Sequence, residues 1–181
     1  FGSALPVKAM QPLPEISADG TMPVADLAFA PIPPAVVGQS ITITMRVTGP
    51  ADAPVPTGTI AVSDDLSAKS CTVSNLSPNP YNEATGSCAL KLDTAGDHTL
   101  TAVYSGDNTY APGAEAKTHV TVNRAGTRIS TFYTEGTPKF GQSQTAHVVL
   151  GTDPADSGDP TGRVEIKNDE GYVYCTITTI S

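Results

Sequence analysis

The segment AGDHTLTAVYSGDNTY, residues 95–110, decides the fold prediction for this chain. Its ring-bearing or apolar side chains at His98, Leu100, Ala102 and Tyr104 recur at every second position, which predicts a β-strand with one buried face. The letters SGDN that follow predict a turn, because glycine permits a positive φ and Asp and Asn side chains bond their own backbone. The segment is therefore predicted to be a strand that ends in a tight turn.

Four more runs of residues show the same alternation and predict further strands. They cover residues 41–47, 58–62, 88–92 and 120–122. No 11-residue stretch free of helix breakers places its apolar residues at helical spacing. Short strands that are divided by clusters of Gly, Pro, Asn and Asp predict an all-β sandwich.

The charge and hydropathy of the chain argue against two classes of function, nucleic-acid binding and membrane spanning. The 181 residues include 18 acidic and 10 basic side chains, which gives a net charge of −8. This acidic balance argues against a nucleic-acid partner, because such partners require a basic surface. No apolar run approaches the ~20 residues of a membrane span, and no signal-peptide pattern occurs among these residues. We expect neither a membrane span nor a nucleic-acid partner.

The chain repeats itself at an offset of 103 to 104 residues. The letters GQS at residues 38–40 recur at 141–143, and PTG at 56–58 recurs at 160–162. Cys71 and Cys175 each follow the glycine of the PTG triplet by 13 residues. Landmarks that recur in the same order predict tandem copies of one domain.

The repeat divides the chain into three predicted parts. Residues 1–25 contain four prolines and are predicted to form an extended arm or linker. Residues 26–123 form the complete domain, and residues 124–181 form the first half of a second one. An incomplete sandwich leaves strand edges open. We therefore expect either that the chain is a fragment of a longer array or that a strand from elsewhere completes the second domain.

Three cysteines bear on the expected redox compartment. Cys71 and Cys88 lie in strand-like runs with 16 residues between them and no companion Cys or His, which favours a disulfide over a zinc site. Loop closure gives such a bridge about 3 kcal/mol, and it implies an oxidising compartment. Cys175 is expected to be unpaired or to bond another molecule, and the repeat predicts its partner outside these residues.

No arrangement typical of catalysis occurs in the sequence. His98, His119 and His147 fall on separate predicted strands without metal-ligand spacing, and there is no Gly-x-Ser-x-Gly nucleophile elbow. The acidic pairs at residues 64–65 and 169–170 each follow a strand and are predicted to be solvated turns. We expect no enzymatic activity and no cofactor.

Calcium is the one metal for which the sequence offers candidate ligands. Asp153, Asp156 and Asp159 place three carboxylates within seven residues, and Ca²⁺ takes about six to eight oxygen ligands. However, the D-x-D-x-D-G spacing is absent, and the equivalent stretch of the first copy contains only Asp52. The prediction is therefore that no metal is bound, with these three aspartates as the candidates to test.

The motif A-G-x-x-T-x-T-A-x-Y-S-G-D-x-x-Y within residues 95–110 resembles the bacterial Ig-like repeats of large surface and secreted proteins. PTGTI at 56–60 and the cysteines at 71 and 88 share in the resemblance, which covers residues 27–123 and, as a first half, 124–181. It implies an immunoglobulin-like β-sandwich, an extracellular or cell-surface location, and a spacer or adhesive role without catalysis.

The resemblance also gives five residues a structural role. In an immunoglobulin-like fold, a ring with a polar tip pins the corner that leads into the sixth strand, and His98 occupies that place. We expect His98, Tyr104, Gly106, Asp107 and Tyr110 to form this corner and the turn that follows.

Three functions are predicted, of which a structural spacer or adhesion module in contact with neighbouring Ig-like repeats is favoured. The alternative is a subunit of a self-assembling extracellular filament in which identical subunits share strands. A carbohydrate-binding accessory domain is the third, and it would need exposed planar aromatics, for which Tyr81, Tyr110, Tyr172 and Tyr174 are the candidates. The sequence does not identify a host-surface or glycan ligand.

Overall fold

The computed structural model describes residues 20–137, 139–155 and 157–178. Most of the predicted arm, residues 1–19, lies outside the described residues. The described part contains thirteen strands and no helix. The strands are β1 (Asp26–Phe29), β2 (Ala35–Val36), β3 (Ser40–Thr48), β4 (Ile60–Asp64), β5 (Ser70–Val73), β6 (Ser77–Pro78), β7 (Glu83–Lys91), β8 (Gly96–Tyr104), β9 (Glu115–Asn123), β10 (Gly126–Thr134), β11 (Ala146–Asp153), β12 (Val164–Lys167) and β13 (Val173–Ile177).

The first nine strands form two sheets that enclose one core. The four-stranded sheet has the order β1-β3-β7-β6, and the five-stranded sheet has the order β2-β9-β8-β4-β5. All neighbours are antiparallel except β2 and β9, which run parallel. The predicted all-β, immunoglobulin-like sandwich is therefore confirmed, and each of the five alternating runs of the sequence overlaps a strand.

The core follows from the alternation along the strands. Ile43, Met45 and Val47 of β3 expose no surface, and neither do Leu100 and Tyr104 of β8. Each buried side chain of this size contributes about 1.5–3 kcal/mol relative to leaving it in water. Because a shift of one residue would turn these side chains outward, the pattern also fixes the register of the strands.

The last residues of the predicted arm belong to the sandwich. Ala25 is buried in the core, and the Pro23 carbonyl accepts a hydrogen bond from the backbone N–H of Ala111 at 2.9 Å. Proline lacks an N–H, but its carbonyl still accepts. The last residues of the predicted arm or linker therefore pack on the sandwich.

Residues 126–177 form two separate two-stranded sheets, β10–β11 and β12–β13. The first of these repeats a pairing of the complete sandwich. Phe29 lies opposite Met45 across β1 and β3, and Phe132 lies opposite Val148 across β10 and β11. Both pairs are related by an offset of 103 residues (132 − 29 and 148 − 45), so β10 and β11 are the counterparts of β1 and β3.

The second hairpin repeats β4 and β5 in the same way. Val62 lies opposite Cys71 in the first copy, and Ile166 lies opposite Cys175 in the second. The sequence repeat is therefore also a repeat of strand register. The buried core of the first copy is not repeated in the second. Among the residues described after residue 123, only Ser157 is buried.

Candidate functional site

The turn after β8 is held by the side chain of Tyr104. Its ring is fully buried at the end of the strand, and its hydroxyl donates hydrogen bonds to the Thr57 carbonyl and, at 3.2 Å, to Oδ2 of Asp107. Burial raises the pKa of this phenol well above its usual value, and the nearby Asp107 carboxylate adds to the shift. Tyr104 is therefore neutral and serves as a donor that joins two loops.

Asp107 is the centre of the same loop contact. Its Oδ1 accepts the backbone N–H groups of Thr109 and Tyr110 at 2.7 and 2.8 Å, and its Oδ2 accepts the N–H and hydroxyl of Thr57 at 2.7 and 2.8 Å. Burial would raise the pKa of this carboxyl, but these donors outweigh burial and hold the pKa below its usual value. With its acceptor sites filled, Asp107 is a structural carboxylate.

Tyr110 completes the contact from the other side of the turn. Its side chain is fully buried, and its hydroxyl donates to the Pro54 carbonyl at 2.6 Å. Tyr110 therefore cannot present its ring to a sugar, and the expectation that it could serve a glycan site is wrong. Tyr110 is buried because of a tertiary contact, since its acceptor belongs to a loop 56 residues away in the sequence.

The three remaining tyrosine candidates for a glycan site are exposed, as such a site would require. They are Tyr81, Tyr172 and Tyr174, which expose 80%, 65% and 66% of their surface. Tyr172 and Tyr174 contact each other edge-on, with ring centroids 5.4 Å apart and planes at 74°. Because two rings at that angle do not make one flat platform, the pair is poorly shaped for stacking on a sugar ring.

His98 lies at the start of β8 and is completely buried. Its Nδ1 lies 2.8 Å from Oδ1 of Asp64, and its Nε2 lies 2.9 Å from the Thr94 carbonyl oxygen. Each ring nitrogen thus faces an oxygen acceptor, so both nitrogens carry a proton when Asp64 is ionised. The bond to Thr94 ties the loop before β8 to the sandwich.

Opposing effects set the charge of this pair. Burial lowers the pKa of His98, but the bonds to the Thr94 carbonyl and to Asp64 outweigh burial, and the net pKa lies above the usual value. Burial raises the pKa of Asp64, but the hydrogen bonds from Ser67 and His98 outweigh it, and the net pKa lies below the usual value. Both shifts favour the imidazolium form of His98 and the carboxylate form of Asp64.

The prediction that Asp64 is part of a solvated turn is wrong. Asp64 is the fifth residue of β4, whose side chains alternate inward and outward, and its place in that order turns it towards the core. Asp65 points to solvent and accepts the backbone N–H of Thr99 at 2.8 Å. The two neighbouring carboxylates therefore face opposite sides and cannot act as a catalytic pair.

The predicted disulfide between Cys71 and Cys88 is formed. Cys71 lies on β5 in the five-stranded sheet and Cys88 on β7 in the four-stranded sheet, with their Cα atoms 5.9 Å apart. The bond therefore joins the two layers of the sandwich. Cys175 is a free, exposed cysteine on β13.

The calcium candidates are only partly described. Asp153 ends β11 and Asp159 lies in the following loop, whereas Asp156 lies outside the described residues. Within the described ranges, no three His, Cys, Asp or Glu side chains are grouped as metal ligands. His119 is exposed on β9, and His147 stacks on Tyr133 with centroids 4.7 Å apart. The histidines are thus on separate strands and are not brought together.

The sequence did not predict the cleft between β7 and the loop at residues 157–158. The cleft has a volume of about 490 Å³, and Lys69, Lys91 and Asp93 contribute its charged groups. Lys69 pairs with Asp93 at 2.9 Å, and the buried hydroxyl of Ser157 has no hydrogen-bond partner. One such hydroxyl does not identify a ligand, so the cleft indicates no particular binding function.

No helix in the described residues is long and apolar enough to cross a membrane. A family model described as "Bacterial Ig-like domain (group 3)" covers residues 30–123, which is just over half of the chain. No curated protein matches the chain. The matched residues contain the disulfide, the Tyr104 turn and the His98 corner.

Proposed function

Because the chain belongs to the bacterial Ig-like domain (group 3) family through residues 30–123, we propose that it is an extracellular structural spacer or adhesion module. The observation that carries this proposal is the Cys71–Cys88 disulfide, which joins the two sheets. Such bonds persist in oxidising compartments and are rare in the cytosol. A catalytic role and a cofactor are not part of the proposal.

The arrangement of β2 and β9 suits a module that carries tension. β2 enters the sandwich near its beginning and β9 leaves it at its end, and the two run parallel with Ala35 opposite Val122. The Val37 N–H extends the pairing to the Asn123 carbonyl at 2.9 Å. Tension that separates the ends of the domain acts along these two strands, so their hydrogen bonds must break together.

The disulfide limits how far an unfolded module can extend. It closes a segment with a sequence separation of 17. A fully extended residue spans ~3.4 Å, so about 60 Å of chain between the two cysteines cannot be stretched while the bond is intact. A spacer with this bond would retain part of its fold after its outer strands are pulled free.

Single-molecule force spectroscopy of the chain, tethered at both ends, tests the spacer role. Val37→Pro removes the donor to Asn123, whereas Val37→Ala keeps that N–H and removes only side-chain atoms. We expect a lower unfolding force for Val37→Pro than for Val37→Ala, and about 60 Å of additional extension after reduction. Equal forces for the two variants would contradict a mechanical role for the β2–β9 pair.

The location is tested separately on the natural protein. Its cysteines are alkylated without prior reduction and the products are measured by mass spectrometry. We expect Cys71 and Cys88 to resist alkylation because they are bonded to each other. Free alkylation of Cys71 would remove the argument for an oxidising compartment.

A second candidate function is a subunit of an extracellular filament that shares strands. One observation favours it. Among the described residues, β11 pairs only with β10, and β12 only with β13, so each hairpin has an unpaired edge. Size-exclusion chromatography and negative-stain images test this function, and a monodisperse short rod under all conditions would argue against a filament.

A further inference from the structure

We infer that the turn at Gly38 is a docking notch for the loop at residues 157–158, and that this contact holds the second copy at a set angle to the first. The inference goes beyond the proposed spacer role. It names the contact that stiffens the chain where its two copies join.

The notch exists because residue 38 has no side chain. Gly38 is buried, and a Cβ built on it would lie 2.8 Å from the carbonyl carbon of Ser157 and 2.9 Å from the carbonyl oxygen. Both atoms belong to the backbone, so they cannot rotate out of the way as the end of a side chain can. The close approach of the loop therefore requires glycine at this position.

The internal repeat supplies a comparison for this turn. Gly141 is the counterpart of Gly38 at the offset of 103 residues (141 − 38). The angle φ is +78° at Gly38 and +76° at Gly141. In both turns the glutamine after the glycine donates its backbone N–H to the carbonyl three residues earlier, at 3.1 Å. The backbone of the turn is therefore the same in the two copies.

The two turns differ in what packs on them. Among the described residues other than its chain neighbours, none comes within 4 Å of a Cβ built on Gly141. Gly141 is exposed, whereas Gly38 is buried. The turn is thus common to both copies, and the loop packed against it is particular to Gly38.

Burial in the second copy occurs at this contact. Ser157 exposes 4% of its surface and is the one buried residue described after residue 123. By contrast, β10 is exposed along its whole length. A loop residue that is more buried than the neighbouring strand of its own copy is covered from outside that copy, and Gly38 supplies part of the cover.

The notch is fixed to the first sandwich by backbone hydrogen bonds. The N–H of Gly38 donates to the carbonyl of Leu92 at 2.7 Å, and the N–H of Val37 donates to the carbonyl of Asn123 at 2.9 Å. Leu92 belongs to the core. The loop therefore docks on backbone that moves with the first sandwich.

The second copy is held to the first at two points. One is the covalent connection, in which residues 124 and 125 separate β9 from β10, and the other is the contact at Gly38. A body attached at two points cannot swing freely about either one. The contact is local, because clefts of about 490 and 430 Å³, both lined by Gly158, lie beside it. Loss of this one contact should therefore release the angle between the copies.

Double electron–electron resonance between two spin labels measures the placement of one copy relative to the other. The labels are attached to Lys117→Cys on β9 and Thr131→Cys on β10, which are exposed positions. The chain carries Cys175→Ser, so that its free thiol takes no label. The width of the distance distribution reports how freely the two copies move.

Gly38→Ala is compared with Gly141→Ala, since both changes place a side chain at positive φ but only the first meets Ser157. We expect Gly38→Ala to make the distribution at least about twofold wider, because units joined by a linker alone move relative to each other. Gly141→Ala should leave the width unchanged. Equal widths for the two variants would overturn the inference.

A second pair of variants alters the loop and keeps the sequence of the first sandwich. Ser157→Phe adds a ring beyond a hydroxyl that is already buried, whereas Ser157→Ala removes only that hydroxyl, which has no hydrogen-bond partner among the described residues. Ser157→Phe should widen the distribution, and Ser157→Ala should retain the original width, because no hydrogen bond is lost.

An unchanged width in Ser157→Phe would overturn the inference, even where Gly38→Ala disturbs the first sandwich itself. Far-UV circular dichroism of each variant shows whether the strands are retained. A failure here is distinct from a failure of the spacer role, because that role is tested by the force that unfolds the first sandwich in Val37→Pro and Val37→Ala.

Discussion

Replacing His98 by leucine should destabilise the first sandwich strongly. The side chain is completely buried and joins Asp64 at 2.8 Å to the Thr94 carbonyl at 2.9 Å. His98→Leu leaves a buried carboxylate without its cationic partner, a change that typically costs about 3–5 kcal/mol. At about 4–8 °C per kcal/mol for a domain of this size, the melting temperature should fall by at least about 12 °C.

The same pair gives a pH dependence with a defined sign. The folded-state pKa of His98 is raised, so its stabilisation is fully present below the unfolded pKa of about 6.5 and is lost as the pH rises through the folded value. Between those two values the free energy of unfolding falls by up to about 1.4 kcal/mol per pH unit.

Asp64 acts in the opposite sense. Its folded-state pKa is lowered, so its contribution is present above the unfolded pKa of about 3.9 and is lost as the pH falls through the folded value. The pair should therefore stabilise the sandwich most between about pH 4 and pH 6.5.

The assay is chemical denaturation followed by far-UV circular dichroism at a series of pH values from about 5 to 9. His119→Gln is the matched control, because that ring is exposed on the neighbouring strand. The control should keep the decline of stability above neutral pH, and His98→Leu should lose it. A decline of equal slope in His98→Leu would refute the argument that the buried imidazolium causes it.

The other predictions concern the disulfide and the turn after β8. Reduction of the inter-sheet disulfide should lower the free energy of unfolding by about 3 kcal/mol, because it reopens a loop with a sequence separation of 17. An unchanged denaturation midpoint after reduction would contradict this loss of stability. Tyr110→Phe should cost about 1–3 kcal/mol, because the Pro54 carbonyl loses its donor at 2.6 Å, and denaturation of the variant at neutral pH measures the loss. Gly106→Ala should destabilise the sandwich more than Gly113→Ala. Both glycines have positive φ, but only at Gly106 would an added Cβ lie 2.7 Å from the Pro112 nitrogen. Equal melting temperatures of the two variants would argue against this steric reason.

Several features of the fold could be read from neighbouring residues. The alternation at residues 98–104 predicted β8, and the letters SGDN predicted the turn in which Asp107 accepts two backbone N–H groups. The disulfide was also predictable, because two cysteines in strand-like runs without metal-ligand companions leave few alternatives. These features depend on periodicity and local chemistry, which the sequence states directly.

The positions of Asp64 and Tyr110 were not predictable in the same way. An acidic residue at the end of a strand and a tyrosine after a turn are commonly exposed. Asp64 was predicted to lie in a solvated turn, and Tyr110 was a candidate both for the structural turn and for an exposed glycan site. Asp64 is buried because its partner His98 lies 34 residues away, and Tyr110 because Pro54 lies 56 residues away. Only the folded chain brings such partners together.

The spacing of residues along the chain was enough to predict five alternating strands with their inward-facing apolar positions, the internal repeat and the disulfide of the complete copy. The tertiary structure decided which polar groups are buried as pairs, that β2 lies parallel to β9, and that β11 has an unpaired edge in the described residues. These depend on which distant segments become neighbours, because a hydrogen bond or a packed side chain requires a partner within a few ångströms in space.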